Sequence, residues 1–253
     1  MSPSNHKPSL MVQLLDVFLI ELTNWRWSWR SILITSTITP LISVLGLGTF
    51  ARSAGPSATA YVLTGSAVLS LLFSNLNNLQ GHVVFMRFMG TLDYFATLPI
   101  RRPILILAMI AAFFLLSLPS LLITILVGTL FLHIQLVIHP LLLLVIPLCA
   151  LALSSLGVLI GVNARTPEES GAFTLLFTLV LTAAGPVIIP PDHLPSFLLI
   201  IGYFSPTTYA SAALRQTLLG PVTHQLLFDI AILSGLAVFT LWLAARKLDW
   251  RHD

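Results

Sequence analysis

Runs of apolar residues alternate along the chain with short polar breaks, and within several runs hydroxyl side chains return at every fourth position. The runs are Ser31 to Phe50, Ala58 to Asn78, Pro103 to Leu132, Pro140 to Val162, Ala172 to Ile189 and Leu226 to Ala245. A helix of roughly 20 apolar residues spans a hydrocarbon core of about 30 Å, so the pattern predicts six membrane-spanning helices in an all-α protein. The third run is long enough to tilt, or to bend at Pro119. One further apolar stretch, Leu194 to Leu219, is interrupted by Pro195, Gly202, Pro206 and Arg215. It is poor material for a full span and suits a re-entrant hairpin or two short helices, placing an outer hairpin over residues 190–220.

The segment before the first run, Leu10 to Ile20, is as apolar as the core of a secretory leader. It carries Gln13 and Asp16, however, and is followed by Glu21 and the basic, Trp-rich stretch Trp25 to Arg30 instead of a small-residue cleavage site. Residues 9–30 therefore read as a helix lying along the inner membrane surface, with Trp25, Arg26, Trp27, Trp29 and Arg30 at headgroup level. Its polar face is thin, and a seventh, poorly spanning segment is the other reading.

Composition agrees with burial in lipid: 57% of residues are hydrophobic and 8% charged, with a mean hydropathy of +0.96. A soluble fold cannot hide that much apolar surface. The charge of +3 comes from 12 basic against 9 acidic residues spread thinly, so it forms no nucleic-acid patch. Its distribution speaks for orientation instead, because short cytoplasmic loops retain Lys and Arg. With the N-terminus inside, Lys7, Arg26, Arg30, Arg87, Arg101, Arg102, Arg165, Arg246, Lys247 and Arg251 fall on the inner side, leaving Arg52 and Arg215 outside. Trp25, Trp27, Trp29, Trp242 and Trp250 gather at the same boundary, and both termini are expected in the cytoplasm. The lone Cys149 allows no internal disulfide or cysteine-based metal site.

Candidate chemistry within the spans is sparse. Asp229 lies near the start of the sixth run, and His133 and His139 flank a short outer turn, so no ionisable residue need sit at the midplane as proton-driven pumps require. The histidines show no HExxH or comparable metal spacing, and no Ser/His or paired-Asp arrangement for hydrolysis lies within the runs. The hydroxyl stripes are more distinctive. Ser31, Thr35 and Thr39 form one; Ser66, Ser70, Ser74 and Asn78 a second; Thr174, Thr178 and Thr182 a third, each on one helix face. They either pack helices together or line a substrate path that opens in one state of the protein. Gly157 and Gly161 make a GxxxG in the fourth run, expected to be a packing contact.

The longest inner connection, residues 81–102, reads GHVVFMRFMGTLDYFATLPIRR and is too rich in aromatic and apolar residues for an idle linker. Val84, Phe88, Leu92 and Phe95 step by four and three, so one helix could gather them while Arg87 and Asp93 project elsewhere. The run stops at Leu98-Pro99, before Arg101 and Arg102. A short helix on the cytoplasmic surface is expected, either as a plain interfacial anchor or as a docking element.

On these features the chain resembles the type-2 ABC exporter permeases. The resemblance runs over nearly the whole chain as a single permease domain, 1–253. It rests on the N-terminal segment, six spans, the loop ending TLDYFATLPIRR, the turn NARTPEESGAF and the segment YFSPTTYASAALRQTLLG. It implies that the helix around Arg87 to Thr97 is a coupling helix seated on a separate ATP-binding subunit. Arg87, Phe88, Leu92, Asp93, Tyr94, Arg101 and Arg102 are its candidate contacts. Glu168 and Glu169, beside Arg165, would make a second contact or pair with the N-terminal helix, unless the turn is simply solvated. Thr35, Thr39, Ser70, Ser74, Asn78, Thr174, Thr178 and Thr182 are the candidate path residues. The resemblance further implies a second permease copy, identical or a close paralogue, and a cell-membrane location of prokaryotic type. The residues from Pro190 and Pro191 through Pro206 to Gln216 would cap the exit; Arg215 is equally placed to anchor at headgroups.

No G-x-x-x-x-G-K-[ST] phosphate loop occurs in the sequence, so ATP and Mg are expected on the partner, with no cofactor and no catalytic residues here. Membrane lipid is the only other expected partner, and nucleic acid is not. A secondary carrier or lipid scramblase, which should show inverted repeats or buried ionisable residues, is the rival reading. A membrane-bound lipid-modifying enzyme is a more distant one, because Asp93, Glu168 and Glu169 are too dispersed to hold a metal.

Overall fold

The computed structural model describes residues 10–24, 29–98, 100–183 and 185–247. The expectations placed on Lys7, Trp25, Arg26, Trp27, Pro99, Trp250 and Arg251, and on the Ser31 side chain, lie outside the described residues. The described chain is all-helical, in line with the apolar runs.

Helices α1 (Leu10–Asn24) and α2 (Trp29–Ala54) come first. A sharp turn at Gly55, with φ of 111°, leads into α3 (Pro56–Leu71). A π-helical segment, Leu72–Asn77, joins α3 without a break to α4 (Asn78–Phe88), and the short α5 (Thr91–Thr97) follows. Then come α6 (Arg102–Leu132), which runs through Pro119 as one helix, α7 (Leu142–Asn163) and α8 (Pro167–Ala183). A turn of 3₁₀-helix, Pro191–His193, precedes α9 (Ser196–Gly202), α10 (Pro206–Leu219) and α11 (Gln225–Lys247).

Five of these units are long and apolar enough to cross a membrane: Ile32–Ala54, Pro56–Phe88, Arg102–Leu132, Leu142–Asn163 and Gln225–Lys247. The pair α9 and α10 meets the same standard only together, and is bent by 86° at residues 203–205. The expected interrupted hairpin is therefore two helices, as the two prolines and Gly202 require. The expected fifth span is shorter than its apolar run. It begins earlier, at Pro167, because Thr166 caps it: the Glu169 amide donates to Thr166 Oγ1 at 3.1 Å, and the Glu169 carboxylate accepts from the Arg165 amide at 2.8 Å. It ends at Ala183, ahead of Gly185, whose φ of 90° turns the chain out of the helix.

The second span differs most from expectation. It does not stop at Asn78; the helix continues to Phe88, so 81–102 is not a loop but the end of a span followed by α5. Val84 and Phe88 consequently belong to one helix, and Leu92 and Phe95 to the next. They form no single stripe. Gly90, at φ of 71°, makes the break.

Three apolar clusters hold the bundle. The central one joins α3, the π segment, α7, α10 and α11 through Leu71, Leu72, Leu76, Leu153, Leu214 and Leu233. A second packs Val17 of α1, Val83 and Met86 of α4, Leu92 and Phe95 of α5, and Leu105 to Phe113 of α6. A third gathers Ala51, Val62, Leu63 and Leu132 at the opposite end.

Helix α1 packs one face on the bundle and leaves the other exposed. It buries Gln13, Val17 and Glu21, at four-residue steps, and exposes Met11, Leu15, Leu19 and Ile20. Gln13 and Glu21 face protein beside Val17, while Asp16 and Thr23 are exposed together with the outward apolar positions. Glu21 Oε2 lies 2.9 Å from Nε2 of His82 on α4.

Candidate functional site

The elbow between α4 and α5 follows from its sequence. A glycine at 90 supplies the left-handed residue that lets one helix end and the next begin at an angle. Leu92 and Phe95 then turn inward onto Val83, Met86, Leu105 and Ile106, which fixes α5 to the bundle. Other side chains around the elbow point outward. Phe85, Phe88, Met89 and Tyr94 are 58%, 48%, 66% and 64% exposed, and Asp93 is exposed among them. Such a patch, anchored from behind by its own buried side chains, is suited to receive a partner protein. Arg101 is exposed and Arg102 half-buried at the start of α6.

Arg87 does not project freely. Its Nη1 donates to the carbonyls of Val162 and Ala164 at 2.8 and 2.7 Å, occupying acceptors that α7 leaves open at its C-terminus. On the same end of α7, Lys247 of α11 donates to Asn163 Oδ1 at 2.7 Å. The ends of α4, α7 and α11 are thus tied together beside the elbow. Sequence reading missed the role of Arg87; the only hint was a lone cation at a helix end with no acid three or four residues away. Glu169 is engaged in starting α8, as described above, while Glu168 is exposed in its first turn.

The hydroxyl stripes divide into two groups. Ser70 shares a 2.8 Å hydrogen bond with Ser120 of α6; Ser120 donates to the Ser36 carbonyl at 2.8 Å, and Thr37 donates to Ser120 at 3.1 Å. Asn78 Nδ2 donates to Ser36 Oγ at 3.0 Å, and Ser66 donates to Ser43 at 3.3 Å. Ser74 is buried nearby. On α8 the buried positions are Ser170, Thr174, Thr178 and Leu181, so that stripe is the packing face: Thr178 donates to Asn77 at 2.9 Å, and Gln80 donates to Ser170. These groups sit in helix seams. Thr35 and Thr39 are exposed on α2, and Thr182 is half-buried. Thr182 lines a cavity of about 260 Å³ with Leu47 of α2, Leu179 of α8 and the segment Gly185 to Leu194. The cavity separates α2 from α8 at the end of the bundle away from the elbow.

At that same far end, Arg215 is no surface anchor. Its guanidinium lies 3.5 Å from the centre of the Tyr61 ring, and Nε and Nη2 have no hydrogen-bond partner among the described residues. Gln216, beside it, bridges Asp229 at 3.3 Å and Thr223 at 2.8 Å. The segment Val187–Ile188 crosses α3 at Gly65, where an added Cβ would stand 2.6 Å from the Val187 carbonyl oxygen. Among the described residues no group of three or more His, Cys, Asp or Glu could hold a metal.

A family model described as ABC-2 type transporter matches residues 13–219. A search of curated proteins found no match.

Proposed function

The chain belongs to the ABC-2 type transporter family, an integral membrane permease, and from that premise we propose that it is the membrane half of an ATP-driven exporter. In this reading α2, the continuous unit α3 to α4, α6, α7, α8 and α11 are the six spans. At 17 residues α8 is at the short limit for a crossing. The bent pair α9 and α10 is the external re-entrant cap. Arg87, Arg101, Arg102, Arg165, Arg246 and Lys247 lie at the cytoplasmic end, against Arg52 and Arg215 at the other, which supports cytoplasmic termini.

The observation that carries the reading is the elbow. The end of α4 and the seven-residue α5, the latter held from behind by Leu92 and Phe95, together present Phe88, Met89, Asp93 and Tyr94 as an exposed aromatic and acidic knob at the end of a span. We assign this knob to a separate ATP-binding subunit, which carries ATP and Mg and performs hydrolysis. Movement of that subunit reaches the bundle through α4, whose end Arg87 ties to α7. A second permease copy completes the path, with Thr35, Thr39 and Thr182 on its wall and the cavity between α2 and α8 at its external end.

The test is photocrosslinking. A benzophenone side chain at position 94 is expected to capture an ATP-binding subunit in native membranes. The same group at position 227, on the exposed lipid-side face of α11, should not. Equal capture from both positions, or none from position 94, would remove the elbow from the proposal.

A further inference from the structure

The second span contains a feature that packing alone does not require. Midway along its 33 residues, Leu72–Asn77 is π-helical, with hydrogen bonds from i to i+5 in place of i+4. The segment therefore holds one residue more than an α-helix of the same advance, about 100° of rotation. Leu72, Ser74, Asn75 and Leu76 are buried and Phe73 and Asn77 half-buried, and three of the seven residues from 72 to 78 are asparagines.

Each asparagine is held by a different helix. Ser154 of α7 donates to Asn75 Oδ1 at 3.3 Å. Thr178 of α8 donates to Asn77 Oδ1 at 2.9 Å, and Asn78 donates to Ser36 of α2 at 3.0 Å. In a regular helix residues three apart share a face; here Asn75 and Asn78 reach separate neighbours. The wide turn spreads its polar side chains around the axis. Gly157 of α7 lies directly against it, with space for no more than a hydrogen where an added Cβ would be 2.5 Å from the Leu76 carbonyl oxygen. Each contact pairs a hydroxyl with an amide, the hydroxyl donating at Asn75 and Asn77 and accepting at Asn78, and a hydroxyl changes partner by turning about a single bond.

We propose that the π-helical segment is a rotary hinge, with Asn77 and Asn78 as positioning residues that turn as the extra residue moves past them and so act on α8 and α2. The inference rests on the permease reading above, in which the elbow is pushed by an ATP-binding subunit. Moving the extra residue one place along the helix turns everything it passes by about 100° and shifts it about 1.5 Å. Passage of the extra residue past Asn77 and Asn78 exchanges the Asn77 to Thr178 and Asn78 to Ser36 bonds, and these two partners stand on the helices that flank the external cavity. Asn75, on the far side of the wide turn, keeps α3 registered on α7.

The test uses the full chain with its ATP-binding subunit in liposomes, with Cys149 replaced by alanine and Ile189→Cys as a reporter beside the cavity. Maleimide labelling of the reporter is expected to change several-fold on adding ATP and vanadate. Deleting Phe73 removes the extra residue and leaves the helices on either side in register. That variant should keep its ATPase subunit and hydrolyse ATP while losing the labelling change. A change that survives the deletion overturns the hinge and leaves the permease reading standing. No change in the undeleted chain, despite bound ATPase, overturns both the ATP-driven reading and the hinge. Hydrogen exchange on the complex without the deletion provides a second arm if the shortened chain does not assemble. Amides of residues 72–78 should change protection with ATP and vanadate more than those of α7; equal behaviour contradicts the hinge.

Discussion

Gly157→Ala is expected to lower the melting temperature of the detergent-solubilised protein sharply, corresponding to a loss of about 2 to 3 kcal/mol. The added methyl would meet the Leu76 carbonyl oxygen at 2.5 Å and the Leu76 Cα at 3.1 Å. These are backbone atoms, so no side-chain rotation relieves the overlap, and α7 must move away from the second span. The hydrogen bond from Ser154 to Asn75 lies one turn away on the same seam and should be lost with it. Gly235→Ala is the control, because nothing lies within 4 Å of its added Cβ. It should melt at or slightly above the parent temperature, since alanine favours helix over glycine by about 1 kcal/mol. Equal melting of the two variants would show that α7 does not rest on the π segment.

Glu21→Ala is expected to be comparably damaging, by about 3 kcal/mol, because it strands a polar partner in an apolar setting. Glu21 is fully buried and its carboxylate lies 2.9 Å from His82, whose ring packs 5.5 Å from that of Phe113. Glu21→Gln keeps an acceptor at the same place and should lose less. Limited proteolysis is the second readout: α1 is joined to the bundle through α6 and this pair, so cleavage near residue 24 should accelerate in Glu21→Ala while the remaining helices stay resistant. Unchanged cleavage and melting would mean that Val17 and its apolar neighbours hold α1 without the pair.

How much of this was legible in sequence depends on which physical signal was strong. Hydropathy located the long helices, because runs such as Pro103 to Leu132 are apolar over more than the length of a hydrocarbon core. It misplaced the end of the second span for an identifiable reason. Asn75, Asn77, Asn78 and Gln80 read as the polar end of a crossing, but they are satisfied inside the bundle by Ser154, Thr178, Ser36 and Ser170. A sequence shows polarity, not the neighbour that compensates it.

The same limit explains α1. Gln13, Asp16 and Glu21 suggested a thin polar face, and the structure buries Gln13 and Glu21 against the bundle while leaving Asp16 exposed. Four-residue spacing groups the hydroxyls along a helix, but spacing cannot distinguish a seam from a wall. Burial puts Thr174 and Thr178 in a seam, whereas Thr35 and Thr39 are exposed. In the elbow, the period of four and three was real for the buried pair Leu92 and Phe95, but Gly90 separates them from Val84 and Phe88. That glycine was the available signal, since φ above zero ends a helix cheaply only there.

The division of the elbow into a buried and an exposed side also decides how its function is probed. Substitutions at Leu92 or Phe95 would loosen α5 itself, whereas Phe88 and Asp93 can change without disturbing the core. The central claim, that this permease works through a separate ATP-binding subunit seated on the elbow, is tested most directly by purifying the chain from its native membrane and identifying what accompanies it. An ATP-binding subunit should co-purify with the parent protein and be lost from Phe88→Asp and Asp93→Arg variants that insert and melt normally. A parent protein that recovers no ATPase, or variants that recover it in full, would contradict the account.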